Sequence, residues 1–315
     1  SAFADPAHDG TQGNRVNSEA AALETPFTSI YGRAAAYFEL TKPRVLLMVL
    51  ITTLAGFYMG DGAAFDFVVA LKAILGTALV AGGTLALNEF VEREYDAKMD
   101  RTRSRPLPSG RLRPIEALIF GIVTVVAGSI FLWYTVNPLT ACVAGSITVL
   151  YLGAYTPMKR YSWICHVIGA VPGALPPVIG WAAARNSLAP EPFVLFGIMF
   201  LWQLPHSLSI ARLYQLDYAR AGMYLMPDDR AYGNPANIVM IAATIVLVAF
   251  GTLPTVMGFA GMFYLSIAIV LGVVMLAYTL TLARTPTTDE DARRVMRVSL
   301  IYLPLVLLVM VLDKL

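Results

Sequence analysis

Charged residues are scarce in this chain. Asp, Glu, Lys and Arg make up 14% of its 315 residues, whereas a soluble domain has about 25%. Hydrophobic residues reach 57% and concentrate in long runs. This composition excludes an ordinary soluble protein. The formal net charge of +2 is nearly balanced, so we expect no nucleic-acid partner.

Cysteine is also nearly absent. Cys142 and Cys165 lie inside apolar runs without CxxC spacing, so we interpret them as small packing residues rather than as a disulfide or a zinc site. The chain lacks a Walker motif, a G-x-G-x-x-G motif in a βαβ context and a serine nucleophile elbow. These absences argue against nucleotide-binding and serine-hydrolase functions.

Nine apolar stretches, most of them near the roughly 20 residues that cross a bilayer, predict an all-α polytopic membrane bundle. Residues 1–36 are small and polar without a signal-peptide core, which predicts a disordered tail before a membrane domain at 37–315. The nine predicted spans lie at 43–60, 67–88, 115–136, 139–157, 162–184, 193–213, 236–257, 261–282 and 296–313.

The distribution of Lys and Arg predicts the orientation of the bundle. With an inside N-terminus and nine spans, the inside segments hold 20 of the 23 Lys and Arg residues. The outside segments hold Arg185 and Lys314, and Lys72 lies within a span. This bias follows the positive-inside rule. It favours an inside N-terminus, an outside C-terminus and a site on the cytoplasmic side.

The most informative segment follows predicted span 2. Asn88, Glu92, Asp96 and Asp100 recur every four residues, an advance of about 40° per step, so a continuing helix keeps them near one face. Neighbouring acids repel each other unless a cation such as Mg²⁺ lies between them. Guanidinium groups, which suit phosphate, follow at Arg101, Arg103, Arg105 and Arg111. The pattern predicts diphosphate chemistry, with Asn88, Glu92 and Asp96 as metal ligands.

A second polar segment ends predicted span 6, four spans after the first. His206 and Asp217 lie about three helical turns apart, within about 20° of one face, and Gln203 precedes them by one turn. Ionisable residues near the end of a span are costly and indicate function. The equivalent placement of the two segments indicates an internal four-helix pseudo-repeat.

Two further features concern predicted spans 4 and 5. Lys159 and Arg160 lie in the short loop between them, where the positive-inside rule and phosphate binding are equally good explanations. Span 5 contains Pro172, Gly173 and a Pro-Pro pair at 176–177. Proline removes backbone donors and bends helices, so we expect a broken or kinked span, which either opens a cavity or serves packing alone.

Five ordered motifs resemble the intramembrane prenyltransferase superfamily, and most of all its branch that farnesylates haem. They are TKPRV at 41–45, DxxMxRTxxRPLPSGR at 96–111, YTPMKR at 155–160, WQLPH at 202–206 and DYARAGMYLMP at 217–227. The chain departs from the superfamily in two places. Glu92 stands where Asp is common, and the second segment has His206 and mainly Asp217 where quinone-forming members carry more carboxylates.

The resemblance implies transfer of a farnesyl group from farnesyl diphosphate to a vinyl group of haem B, giving haem O, with Mg²⁺ as cofactor. It implies a bacterial plasma (inner) membrane protein surrounded by membrane lipid, and hand-over of the product to a haem A synthase. His206 would contact either the haem iron or a propionate. The implied catalytic residues are Asn88, Glu92, Asp96, Asp100 and Asp217. The implied substrate-binding residues are Arg101, Arg105, Arg111, Lys159, Arg160, Gln203, His206 and Tyr218.

Two other functions stay open at this point. One is a prenyltransferase that acts on a quinone or chlorophyll precursor, and the PLPSG and WQLPH segments favour the haem branch over it. The other is a transporter of a cation or a lipid that uses the same acids. Transporter sites lie near the membrane midplane, whereas the acids here lie at span ends.

Overall fold

The computed structural model describes residues 30–62, 65–227, 235–283 and 288–315. Of the described residues, 80% are helical, and they form no β-sheet, with one isolated bridge between Ala260 and Lys314. Within these residues, nine helical segments are long and apolar enough to cross a membrane. The predicted all-α polytopic bundle is confirmed.

The bounds of the nine spans stay close to the predicted stretches, except that span 2 ends eight residues later and span 9 begins seven residues earlier than predicted. Spans 4, 5 and 7 are each built from consecutive helices. The spans are Pro43–Gly60, Phe67–Asp96, Pro114–Thr135, Pro138–Met158, Cys165–Arg185, Pro190–Leu213, Pro235–Val256, Met262–Leu280 and Asp289–Leu312. The other elements are the N-terminal helix Ile30–Leu40, the short helix Gln215–Arg220 and the 3₁₀ turn Thr281–Ala283.

Span 2 continues as one helix to Asp96, so Asn88, Glu92 and Asp96 share a face as the spacing predicts. Asp100 does not, because the helix ends before it. The Thr102 hydroxyl donates a hydrogen bond of 2.8 Å to the carbonyl oxygen of Asp96, which satisfies a backbone acceptor that the helix end leaves open. The expectation that a continuing helix carries Asp100 is therefore wrong, and its side chain is exposed.

The N-terminal helix begins at Ile30, seven residues before the predicted start of the folded domain. Its Ala36 and Leu40 are buried in a cluster with Ala86 and Ala117, and Arg33 forms an ion pair with the first turn of span 3. Residues 30–36 therefore belong to the folded domain. The rest of the predicted tail, 1–29, lies outside the described residues.

Contacts at the two ends of the bundle define two faces. Lys42, which precedes span 1, reaches the end of span 2 at Asn88. We call the face where spans 2, 4 and 6 end the site face. At the opposite face, Lys314 donates a hydrogen bond of 2.7 Å to the carbonyl oxygen of Asp61, just after span 1. Lys42 and Lys314 therefore lie on opposite faces, while the direction of insertion and the pseudo-repeat stay predictions.

Span 5 breaks at Leu175, between the helices Cys165–Ala174 and Pro176–Arg185, as its prolines and glycine predict. Its second half packs closely against span 1 through glycine. A Cβ atom at Gly180 would collide with the carbonyl oxygen of Thr53, and one at Gly56 would collide with the backbone of Pro177. Small residues let membrane helices approach this closely.

We expect Gly180→Ala to lower the thermal unfolding midpoint in detergent, because overpacking a tight contact costs about 1–3 kcal/mol. Gly145→Ala is the matched control, since a Cβ at this helical glycine meets nothing within 4 Å. Alanine is the better helix former, so the control should unfold at the wild-type temperature or above it. Equal midpoints for the two variants would contradict the close contact of spans 1 and 5.

The orientation can be tested with single cysteines at Ser109, on the site face, and at Leu315, on the opposite face, in a background without Cys142 and Cys165. An impermeant thiol reagent on intact cells should label the second position and not the first. Permeabilised cells should show labelling at both positions. The reverse pattern on intact cells would place the site face outside and refute the prediction from charge.

Candidate functional site

The end of span 2 buries two carboxylates against cations. Glu92 is 5% exposed and Asp96 only 1%. Lys159, just after span 4, donates a hydrogen bond of 2.7 Å to Glu92 Oε1, and Arg105 donates one of 2.7 Å to Asp96 Oδ2. Breaking one partner from such a buried pair leaves a costly unpaired charge. The fold therefore holds Lys159 and Arg105 in place beside the acids.

Lys42 is a cation of this site that the sequence prediction missed. It adopts a left-handed conformation with φ 49°, and its Nζ donates to Asn88 Oδ1 at 2.9 Å. The amide of Asn88 in turn donates to Thr156 Oγ1 at 3.1 Å. Strained backbone tends to occur at functional sites. The TKPRV motif at 41–45, which contains Lys42, is the sequence feature that could have identified it as a site residue. We call Lys42, Asn88, Glu92, Asp96, Arg105 and Lys159 the polar cluster.

Burial and neighbouring charge act differently on the two lysines. Burial, helped by the nearby Arg105 guanidinium, lowers the pKa of Lys42 to about 8. Burial alone would also lower the pKa of Lys159, but the Glu92 carboxylate, its hydrogen bond to Lys159 and the nearby Tyr155 and Tyr151 together outweigh burial and raise that pKa well above its usual value. Lys159 thus stays charged at neutral pH, whereas Lys42 changes charge just above it.

Arginines and tyrosines join three segments at the site face. Arg101 donates a hydrogen bond of 2.8 Å to the hydroxyl of Tyr218, and its guanidinium lies 4.9 Å from the ring centre of Tyr214. Arg160 lies 4.4 Å from the ring centre of Tyr95. The loop after span 2 is therefore fastened to the helix after span 6, as expected if both cover one site.

Asp100 and Asp217 share one partner. Arg220 Nη1 lies 2.8 Å from Asp100 Oδ2 and 3.3 Å from Asp217 Oδ1. The structure therefore brings these two predicted catalytic acids together around an arginine. Arg111 lies elsewhere, because it donates a 2.6 Å hydrogen bond to Glu39 of the N-terminal helix. None of these three residues hydrogen-bonds to the polar cluster.

A cavity of about 530 Å³ lies beside the polar cluster, lined mainly by apolar residues of spans 1, 2, 4, 5, 6 and 9. Tyr155 connects the two, because its ring lines the cavity and lies 4.5 Å from Lys159 Nζ. Tyr155 ends a π-helical turn that begins at Tyr151, and such turns often mark functional sites. The exposed Arg44 also lines the cavity.

The second motif contributes His206 and Gln203 to the same cavity. His206 Nδ1 lies 2.8 Å from Ser299 Oγ of span 9. The imidazole stacks on Trp202 at 4.9 Å and 14°, while Gln203 donates to the carbonyl oxygen of Met199 at 3.1 Å. Ser299 was not predicted, because it is 93 residues from its partner and carries no motif.

The oxygen atoms of Asn88, Glu92 and Asp96 suit Mg²⁺, which usually binds one or two carboxylates together with substrate phosphates. Among the described hydrogen bonds, Glu92 uses Oε1 and Asp96 uses Oδ2, which leaves one oxygen of each carboxylate for a metal. No group of three or more His, Cys, Asp or Glu side chains in the described ranges could hold a metal ion by itself. The free oxygens of Glu92 and Asp96 fit a metal that substrate phosphates help to bind.

The chain is similar to known proteins over most of its length. The chain is 43% identical over 289 residues to a protoheme IX farnesyltransferase of Solibacter usitatus, covering 88% of this chain and 98% of that protein. It is 38% identical to the protoheme IX farnesyltransferase of Koribacter versatilis, covering 93% of this chain and 97% of the relative.

Solved structures share the fold at low sequence identity. A digeranylgeranylglyceryl phosphate synthase structure matches with a TM-score of 0.74 at 19% identity, covering 89% of this chain and 98% of that one. A UbiA homologue from Archaeoglobus fulgidus bound to GPP and Mg²⁺ matches with a TM-score of 0.60 at 17% identity, covering 87% and 99%. The model of the UbiA prenyltransferase family matches residues 49–301, and the chain therefore belongs to the UbiA prenyltransferase family.

Proposed function

We propose that this protein transfers the farnesyl group of farnesyl diphosphate to a vinyl group of haem B, giving haem O and diphosphate. The observation that carries the proposal is the position of the polar cluster beside a large apolar cavity, because the substrate has a charged diphosphate and an apolar chain. The relatives named protoheme IX farnesyltransferase support haem as the acceptor.

The diphosphate group would bind at the polar cluster. Lys42, Arg105 and Lys159 supply positive charge from three segments of the chain. Mg²⁺ would be held by Glu92 and Asp96, helped by Asn88, and when bound it supplies neutralising charge to the departing diphosphate. Fixed cations of this kind stabilise charge that develops as the bond breaks.

The proposed reaction breaks one bond of farnesyl diphosphate and forms two new bonds at the vinyl group. The bond between C1 of the farnesyl group and the diphosphate oxygen breaks, and the electron pair leaves with diphosphate. C1 then bonds to the terminal carbon of the vinyl group. Water adds to the carbon next to the macrocycle and loses a proton, giving a hydroxyethylfarnesyl chain. The apolar cavity keeps water from the farnesyl cation before the carbon–carbon bond forms.

The acceptor would occupy the part of the cavity lined by His206, Gln203 and Arg44. Arg44 is exposed and its side chain hydrogen-bonds to no described residue, so its guanidinium is available to a propionate of haem. The proposal includes a bacterial inner-membrane location with the site face toward the cytoplasm, where farnesyl diphosphate is available, and hand-over of haem O to a haem A synthase.

The direct test incubates the purified protein with farnesyl diphosphate, haem B and Mg²⁺, and identifies the extracted porphyrin by mass spectrometry. We expect the mass of haem B plus one farnesyl group and one hydroxyl group. Chelation of the metal should stop product formation. Prenylation of a quinone precursor in place of haem would refute the proposal.

Asp96→Ala should reduce turnover by about a thousandfold or more, because losing a metal ligand raises the barrier by several kcal/mol. Glu94→Gln is the matched control, since Glu94 lies on the same helix but its side chain is 76% exposed. The control should keep wild-type turnover. If Asp96→Ala retains more than about a tenth of the activity at equal folded protein, Asp96 is not a metal ligand.

The pKa of Lys42, about 8, predicts a pH dependence of diphosphate binding. The lysine loses its charge as the pH rises through this value, while bound diphosphate favours the charged form. The affinity of the wild-type protein for a non-reactive farnesyl thiodiphosphate should therefore fall about tenfold more between pH 7 and pH 9 than the affinity of Lys42→Arg. The arginine stays charged over this range, so the variant corrects for titration of the ligand. Identical pH profiles would show that Lys42 does not contact the diphosphate.

A further inference from the structure

We infer that His206 ligates the iron of the acceptor haem through Nε2, and that Ser299 is the positioning residue that fixes its tautomer. The inference rests on the proposed function, because it takes haem B as the acceptor. It narrows the two roles that the sequence leaves open for His206, an iron ligand or a propionate contact.

The tautomer follows from the hydrogen bonds of Ser299. Its hydroxyl donates to the carbonyl oxygen of Met296 at 2.7 Å. A hydroxyl has only one proton, so while that proton is on the Met296 carbonyl oxygen, Ser299 Oγ accepts a hydrogen bond from His206 Nδ1, which lies 2.8 Å away. We assign the imidazole proton to Nδ1 on this arrangement. In the neutral ring this leaves Nε2 with a free lone pair.

The orientation of the ring follows from Trp202. The indole stacks on the imidazole at 4.9 Å, and its Nε1 donates a 2.7 Å hydrogen bond to the carbonyl oxygen of Ser299. Trp202 and Ser299 thus hold His206 from two sides. Nε2 forms no hydrogen bond to any described residue, and the ring lines the cavity.

This geometry favours iron over a propionate. A carboxylate needs a hydrogen-bond donor, whereas Nε2 in this tautomer is an acceptor. A histidine that ligates a metal commonly donates its other ring N–H to a protein oxygen, which is the role of Ser299 here. An imidazole with one nitrogen fixed and a lone pair facing an apolar cavity has the features of an axial haem ligand.

The other cavity histidine lacks these features. His166 Nε2 lies 3.3 Å from the carbonyl oxygen of Leu225, so this nitrogen carries the proton and is occupied. Its Nδ1 is buried without a partner among the described residues and has no free surface for a ligand. The chain has three histidines, and the third, His8, lies outside the described residues. His166 therefore serves as the matched control.

The test compares two probes on the purified full chain, haem B and iron-free protoporphyrin IX, each without farnesyl diphosphate. His206→Gly should weaken haem affinity about tenfold or more and remove the absorption shift caused by axial ligation. Protoporphyrin affinity should stay unchanged, because the propionates and the macrocycle are the same. Free imidazole should restore the wild-type haem spectrum of this variant.

Two further variants complete the design. His166→Gln should keep the wild-type haem spectrum. Ser299→Ala should keep an axially ligated spectrum but lower haem affinity without changing protoporphyrin affinity, which a purely structural role would not do. If His206→Gly does not fold, His206→Gln replaces it, and the same loss of the haem spectrum is expected.

Three outcomes would overturn the inference. Equal loss of affinity for both porphyrins in His206→Gly would assign the residue to a propionate. An unchanged haem spectrum in that variant, or a spectrum lost in His166→Gln, would assign the iron to another ligand. These results can be told apart from a failure of the proposed function, which would appear as wild-type protein that forms no haem O when all substrates are present.

Discussion

The ion pair between Glu92 and Lys159 is the interaction on which the site depends. Glu92 is buried and the Lys159 side chain is 12% exposed near the end of a membrane bundle, where an unpaired charge is costly. Their contact joins span 2 to the end of span 4, and the hydrogen bond from Asn88 to Thr156 joins the same two spans. This constraint places Lys159 next to the ring of Tyr155, and thereby sets the cluster against the cavity.

Charge pairing also explains how a buried cluster can accept a substrate as highly charged as a diphosphate. In the structure, each cluster carboxylate is neutralised by a lysine or an arginine. In the proposed reaction, diphosphate takes over these cations while Mg²⁺ takes over the carboxylates. Every charge then exchanges one partner for another, so metal and substrate are best bound together. The cost of burial is met in both states, which makes a site at this depth physically reasonable.

The sequence predicted those features that depend on local periodicity. The spacing of Asn88, Glu92 and Asp96 gave their common face, and the prolines of span 5 gave its break. Asp100 departed from the pattern because the helix ends at Asp96. Lys42 and Ser299 could not be assigned, since their partners lie 46 and 93 residues away and only packing brings them together. The contact of Arg111 with Glu39 could not be predicted either, since these residues are 72 positions apart.

The two motifs are similar in position but differ in chemistry, and the substrates explain the difference. The first motif places carboxylates and cations beside one another, as a diphosphate with its metal requires. In the second, Asp217 shares Arg220 with Asp100 of the loop after span 2, and the cavity receives His206 with little other polarity. Haem is broad and apolar, and its distinctive feature at the centre is a metal that accepts a lone pair. A single oriented imidazole in an apolar cavity can select such a molecule, whereas further carboxylates would repel its propionates.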